Sequence, residues 1–297
     1  MTRNIFHLGY PKCASTSLQL DLFAVSTTHR LISRVIQNNS SGFSSRKLSP
    51  SYFESEELIK DFHNDILSGN AVSVSAVREV ILKYSPFIYS DEFFLDSRFC
   101  KTSLIERIKA LSPIVQKGDI ILIVMRDPLE ILRSMYRDHP FSFLDDDSGY
   151  VSFDEFIMEA SQDSNFEIFD LDYVVSLLKK FIPGSQLVVI NFDDEFFKKV
   201  SRTALADELG TLAFETFKGA PKRNEGNTSV QYFYRIMKRY VRFFRMILGE
   251  RLSFSIDNRL KEFFARFGSK KTIFVSKEAE REFLKRLEGL RRSEKKH

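Results

Sequence analysis

Tryptophan is absent from this chain of 297 residues, and cysteine occurs only twice. Two cysteines cannot staple a small secreted scaffold, so the composition favours free thiols and a reducing compartment. With 12 Gly and 8 Pro the chain is neither collagen-like nor a low-complexity polymer. No apolar run approaches the roughly 18 residues of a membrane span. No basic n-region and apolar h-region precede the first strand-like segment, which starts at Asn4. The expectation is a cytoplasmic protein without a membrane span. Five histidines and two cysteines show no ligand spacing, so no metal is expected. The missing tryptophan, beside 30 Phe, excludes nothing by itself.

What is present suffices for a sizeable core, at 43% hydrophobic and 28% charged residues. The net charge of +4 hides an asymmetry. Between Lys218 and Arg251 stand nine Lys or Arg against two Glu, whereas Ser142 to Asp172 holds ten acidic residues and no basic one. The basic stretch points to an anionic ligand. No groove-reading or base-stacking motif accompanies it, so nucleic acid is not the expected partner.

Along the chain, Asn4 to Leu8 reads as a buried strand stopped by Gly9-Tyr10-Pro11, with a capped helix following from Ser15. Asn38 to Ser51 reads as a loop, and Glu54 to Leu67 as an amphipathic helix. Phe87 to Tyr89 is a second strand that runs into Ser90-Asp91-Glu92, and Ser103 to Leu111 a helix. Asp119 to Met125 is the clearest strand, apolar on both faces, and breaks into Arg126-Asp127-Pro128 and a helix from Leu129 to Arg137. Leu187 to Ile190 is another strand, and the chain beyond Ser229 is helical in pattern. Strands alternating with helices, with polar groups at the strands' carboxyl ends, predict an α/β fold. A central parallel sheet is flanked by helices, in one domain over 1–297 with a helical C-terminal third.

The segment Pro11-Lys12-Cys13-Ala14-Ser15-Thr16-Ser17 sets a lysine and three hydroxyls where a strand meets a helix N-terminus. Unpaired N–H groups and the positive end of the helix dipole attract a phosphate there, and Lys12 adds a full charge. Hydroxyls of this kind standing alone more often only cap the helix. A Walker A loop needs Ser or Thr directly after its lysine, and here Cys13 and Ala14 intervene. Gln19 stands where a cysteine-phosphatase loop needs arginine, and a dinucleotide fingerprint lacks its glycines.

The loop resembles the 5′-phosphosulfate loop of the sulfotransferase family. A second signature of that family is a strand ending in Arg, with Ser eight residues beyond. Arg126 and Ser134, in Arg126-Asp127-Pro128-Leu129-Glu130-Ile131-Leu132-Arg133-Ser134, stand at that spacing. The likeness covers about the first half of the chain, and the position of the loop so near Met1 points to a bacterial style of member. It implies 3′-phosphoadenosine 5′-phosphosulfate (PAPS) as sulfuryl donor, 3′-phosphoadenosine 5′-phosphate (PAP) as product and no metal. Pro11 to Ser17 would bind the 5′ side, and Arg126 with Ser134 the 3′-phosphate. Arg223, in the loosely matching Lys222-Arg223-Asn224-Glu225-Gly226, would assist. Where members carry Gly this chain has Ala14, so the loop is expected to turn there without positive φ.

For catalysis the resemblance implies Lys12 at the departing phosphate oxygen and a base for the acceptor's proton. Glu92 is the candidate, because Ser90-Asp91-Glu92 follows a strand and resembles the Ser-Glu step of carbohydrate-modifying members; a saccharide hydroxyl is then the expected acceptor, with an amine as the alternative. The same carboxylate could equally cap a helix. His139 is the second candidate, although Asp138-His139-Pro140 also simply ends a helix. His7 reads as a satisfied core residue and Cys13 as packing. The helix from Val230 to Leu248 opposes an apolar face to Arg235, Lys238, Arg239, Arg242 and Arg245. That basic face fits an acidic glycan, the donor's phosphates or an anionic membrane surface, and fits mere solvation as well. Two further functions compete: a P-loop kinase of a small molecule, and a module that binds PAP or a partner without turnover.

Overall fold

Short apolar segments assemble into one parallel sheet in the computed structural model, which describes residues 2–10, 13–33, 56–96, 102–138, 153–162, 166–193, 195–218 and 276–294. In chain order, β1 (Ile5–Leu8) leads to α1, whose first turn (Ser15–Ser17) is α-helical and which continues as a π-helix (Leu18–Phe23). Then come β2 (Arg30–Ser33), α2 (Glu56–Leu67), α3 (Ala71–Leu82), β3 (Phe87–Asp91), α4 (Leu104–Leu111), β4 (Ile120–Met125) and α5 (Pro128–Asp138). Beyond these lie α6 (Phe153–Gln162), a 3-10 turn (Phe166–Phe169), α7 (Leu171–Phe181), β5 (Gln186–Asn191), α8 (Phe196–Val200), α9 (Ala204–Leu209), α10 (Thr211–Lys218) and α11 (Lys277–Glu294).

The strand order is β2-β3-β1-β4-β5, all parallel. Every residue of β1, β3 and β4 is buried, as in a parallel sheet covered on both faces, including the polar His7, Ser90 and Asp91. From β1 the chain builds outward to β2 and β3 on one side, then crosses to β4 and β5 on the other. Connections leaving in opposite directions put the topological switch point of the sheet at the carboxyl ends of β1 and β4, the place where ligands of open α/β sheets bind. The expected α/β class is therefore the observed one.

Local chemistry sets several helix starts. Ser103 and Glu106 close a reciprocal capping box on α4. Asp127 accepts from the Glu130 N–H at 3.1 Å, and Pro128 occupies the first helical position of α5, where a missing N–H costs nothing.

The acidic stretch is anchored by apolar residues where it is described. Its described residues bury Phe153, Phe156, Ile157, Phe166, Ile168 and Phe169. The rings of Phe166 and Phe169 lie 5.3 and 6.2 Å from that of Phe283 on α11. Asp170 is wholly buried as the cap of α7, accepting from the N–H groups of Asp172 and Tyr173. Acidic residues there alternate with core aromatics, and the aromatics decide the placement. The helix expected over Val230 to Leu248 lies outside the described residues. Among the described residues, no helix is long and apolar enough to cross a membrane.

Candidate functional site

Gly9 is where the site begins. Its N–H donates to the Asp91 carbonyl at 2.9 Å and its carbonyl accepts from Leu95 N–H at 3.2 Å, so the ends of β1 and β3 are tied together. A Cβ at Gly9 would stand 2.9 Å from Glu92 Cα and 2.9 Å from Ser15 Oγ. Only glycine allows the start of α1 and the turn after β3 to close on the end of β1 this tightly.

Beyond Gly9 the Tyr10 hydroxyl donates to the Ile168 carbonyl. Burial, with Cys13 and Asp170 adding to it, raises this phenol far above its usual range. Cys13 is buried, and burial pushes its thiol up to about 12, although the Arg126 guanidinium and a backbone hydrogen bond from Arg126 pull the other way. The thiol is thus a packing group, as expected, and it brings the β1 loop against the end of β4.

Ala14 overturns an expectation. It adopts φ 59 and ψ 13, the left-handed conformation, at the position where a glycine would be at ease. A non-glycine residue there carries about 1–2 kcal/mol of strain. The cap of α1 is therefore Ala14 itself, with no side-chain cap hydrogen bond. Ser15 does not cap either; it is buried, and its hydroxyl donates back to the Tyr10 carbonyl at 3.4 Å. Thr16 and Ser17 complete the first turn, Ser17 half-buried. Pro11 and Lys12 lie outside the described residues, as do His139 and Arg223.

Arg126 follows β4 directly. Its side chain is 33% exposed, donates to Glu130 Oε2 at 3.3 Å and lies over the Phe192 ring at 5.9 Å. Glu130 also accepts from Arg133. Ser134, half-buried, is four residues beyond Glu130 on α5, so both share one face of the helix with the Arg126 guanidinium held at its start. The structure therefore gathers Cys13, Ala14, Ser15 and Arg126 at neighbouring strand ends, with Ser134 on the adjoining helix and half-buried Glu92 across Gly9.

Two buried polar clusters beneath the site have no counterpart in the sequence reading. On one face of β3, Asp91 accepts from His63 Nδ1 at 2.9 Å, the Tyr89 hydroxyl at 3.2 Å and the Phe93 N–H at 2.9 Å. On the other, Ser90 accepts from Gln19 Nε2 at 2.9 Å and is hydrogen-bonded to His7 Nδ1 at 2.8 Å. His63 on the apolar face of α2 beside Phe62 and Ile66 was the available signal, as a buried histidine seeks a partner. His7 is only half satisfied, because its Nε2 has no partner.

Burial lowers His7 to about 4 from its usual 6.5, with Asp91 opposing. The unfolded chain therefore takes up this proton first as pH falls, and stability present above pH 6.5 is lost down to about pH 4. Compared with His7→Gln in urea titrations, the wild type should lose roughly 3 kcal/mol more between pH 7 and 4. A difference constant with pH would mean that His7 titrates normally in the fold.

Among the described residues, no group of three or more His, Cys, Asp or Glu side chains could hold a metal ion. Comparison of the chain with protein-family models, curated proteins and solved structures found no match.

Proposed function

We propose that this protein is a sulfotransferase that takes PAPS as donor and passes the sulfuryl group to an acceptor hydroxyl, of a saccharide or glycoconjugate, or to an amine. The observation that carries the reading is the meeting of two strand-end motifs. Cys13 in the loop after β1 packs against Arg126 at the end of β4, at the switch point of the sheet, with Ala14 held left-handed beside them. Two phosphates on one nucleotide call for two anion-binding elements at adjacent strand ends, and a planar arginine fork suits the terminal one.

In this reading the acceptor oxygen attacks sulfur and the bond from sulfur to the 5′-phosphate oxygen breaks, its electron pair staying on that oxygen. Lys12 and the first N–H groups of α1 neutralise the charge that develops there. Arg126, Ser134 and Arg223 hold the 3′-phosphate. The acceptor's proton passes to Glu92, with His139 as the alternative base. The setting is the cytoplasm, in keeping with the scarcity of cysteine.

The test is thermal unfolding with PAP, 5′-AMP and ATP, each with and without magnesium, followed by incubation with labelled PAPS and a panel of sugars, lipids, phenols and amines. PAP should raise the melting temperature without magnesium, and Arg126→Ala should weaken PAP far more than 5′-AMP. A shift only with ATP and magnesium would make the protein a kinase instead. Tight PAP binding without transfer to any acceptor would make it a binding module.

A further inference from the structure

Arg126, Glu130 and Arg133 form a chain of two cations sharing one carboxylate. Glu130 Oε2 accepts from Arg126 at 3.3 Å, and Oε1 accepts from Arg133. All three side chains are partly exposed, at 33%, 34% and 24%. The Nε of Arg133 is nevertheless buried and has no hydrogen-bond partner. The Glu130 backbone is fixed in the first turn of α5 by its N–H bond to Asp127, so only its side chain is free to turn away. A carboxylate drawing on two guanidinium groups has the charge sign and planar acceptor geometry of a phosphate face.

We propose that Glu130 is a built-in placeholder for a phosphate monoester dianion, and that Arg133 is the second arm of the clamp that Arg126 begins. This rests on the donor reading above and adds two residues to it. The arriving 3′-phosphate takes over the Arg126 fork, Glu130 swings off, and the unpartnered Nε–H of Arg133 gains an acceptor. An exposed acid held among arginines then acts as a selectivity filter. A dianion with several acceptor oxygens displaces it, whereas a weakly basic monoanion does not.

The test is equilibrium binding of PAP, 3′-AMP, 5′-AMP and inorganic phosphate to the wild type, Glu130→Gln and Arg133→Met. Glu130→Gln should tighten PAP and 3′-AMP by about 3- to 10-fold, since an exposed pair no longer competes and a like charge is gone. Its affinity for 5′-AMP should stay within about two-fold. Arg133→Met should weaken PAP and 3′-AMP by about ten-fold and spare 5′-AMP. Because it leaves Glu130 in place, it carries the test even if Glu130→Gln folds poorly.

If the wild type binds PAP and Glu130→Gln leaves that affinity unchanged or lower, the placeholder is wrong while the donor reading stands. Equal tightening of all four ligands, inorganic phosphate included, reduces Glu130 to a general field effect and overturns the inference. Unchanged 3′-AMP affinity in Arg133→Met removes the second arm. Absence of PAP binding by every form overturns the inference and the donor reading together.

Discussion

Glu92→Gln is expected to lower the rate of the proposed sulfuryl transfer by about 10²- to 10⁴-fold while PAP affinity stays within about two-fold. Glutamine keeps the shape of the side chain and removes its basicity. The residue opens the turn after β3, half-buried, with its Cα against Gly9. In the proposed reaction a base there meets the acceptor's proton and not the donor's phosphates, so the loss falls on rate and spares donor binding. Turnover with labelled PAPS and calorimetric binding of PAP separate the two. His139→Ala is the companion variant. Should it abolish turnover while Glu92→Gln retains nearly all of it, the base is His139, and the case for a saccharide acceptor loses its main support.

The parts of the fold that were legible are those whose burial is two-sided. β4 is apolar without interruption, and β1 and β3 are buried throughout although they carry His7, Ser90 and Asp91; each was readable as a strand to within a residue or two. The start of α4 at Ser103 and the Arg126-Asp127-Pro128 turn were legible from cap and proline chemistry. β2 was not, because it has only four residues, begins with exposed Arg30 and lies at the sheet edge. α3 reads Ala-Val-Ser-Val-Ser-Ala-Val, an alternation that belongs to a strand. It is a helix that buries only Val74 and Ile81 along its length and leaves Val72 81% exposed.

The site was legible in its motifs and not in its supports. Lys12 through Ser17 and Arg126 to Ser134 carry local patterns, and the structure brings Cys13 and Arg126 together. The left-handed Ala14 reads the wrong way in the sequence, because alanine at a position where the resembling family carries glycine suggests a turn without positive φ, and the chain adopts φ 59 there all the same. His63 and Asp91 are 28 residues apart and belong to different elements, so only the packing of α2 on β3 makes them a pair. Glu130 carries the i,i+4 spacing from Arg126 that a helix makes into contact, yet such pairs on surfaces are ordinary.

Loss of the Asp91 side chain should cost the fold heavily. Its carboxylate is 1% exposed and accepts from His63, the Tyr89 hydroxyl and the Phe93 N–H, while its carbonyl receives the Gly9 N–H. Asp91→Ala removes the acceptor of three donors at once, two of them in buried hydrogen bonds, a loss of about 3–5 kcal/mol. That is a large share of the roughly 5–15 kcal/mol by which such domains are stable. Asp91→Asn keeps the volume and one acceptor oxygen but turns an amide toward one of the donors, so about 1–3 kcal/mol is expected. Urea unfolding measures both. The turn carrying Glu92 begins at the bond from Phe93 N–H to Asp91, and the β1 loop at the bond from Gly9, so Asp91→Asn should also slow turnover while still folded. A loss under about 1 kcal/mol for Asp91→Ala would show that the three donors find other acceptors. Asp91 would then not be the anchor that sets Glu92 against the loop after β1.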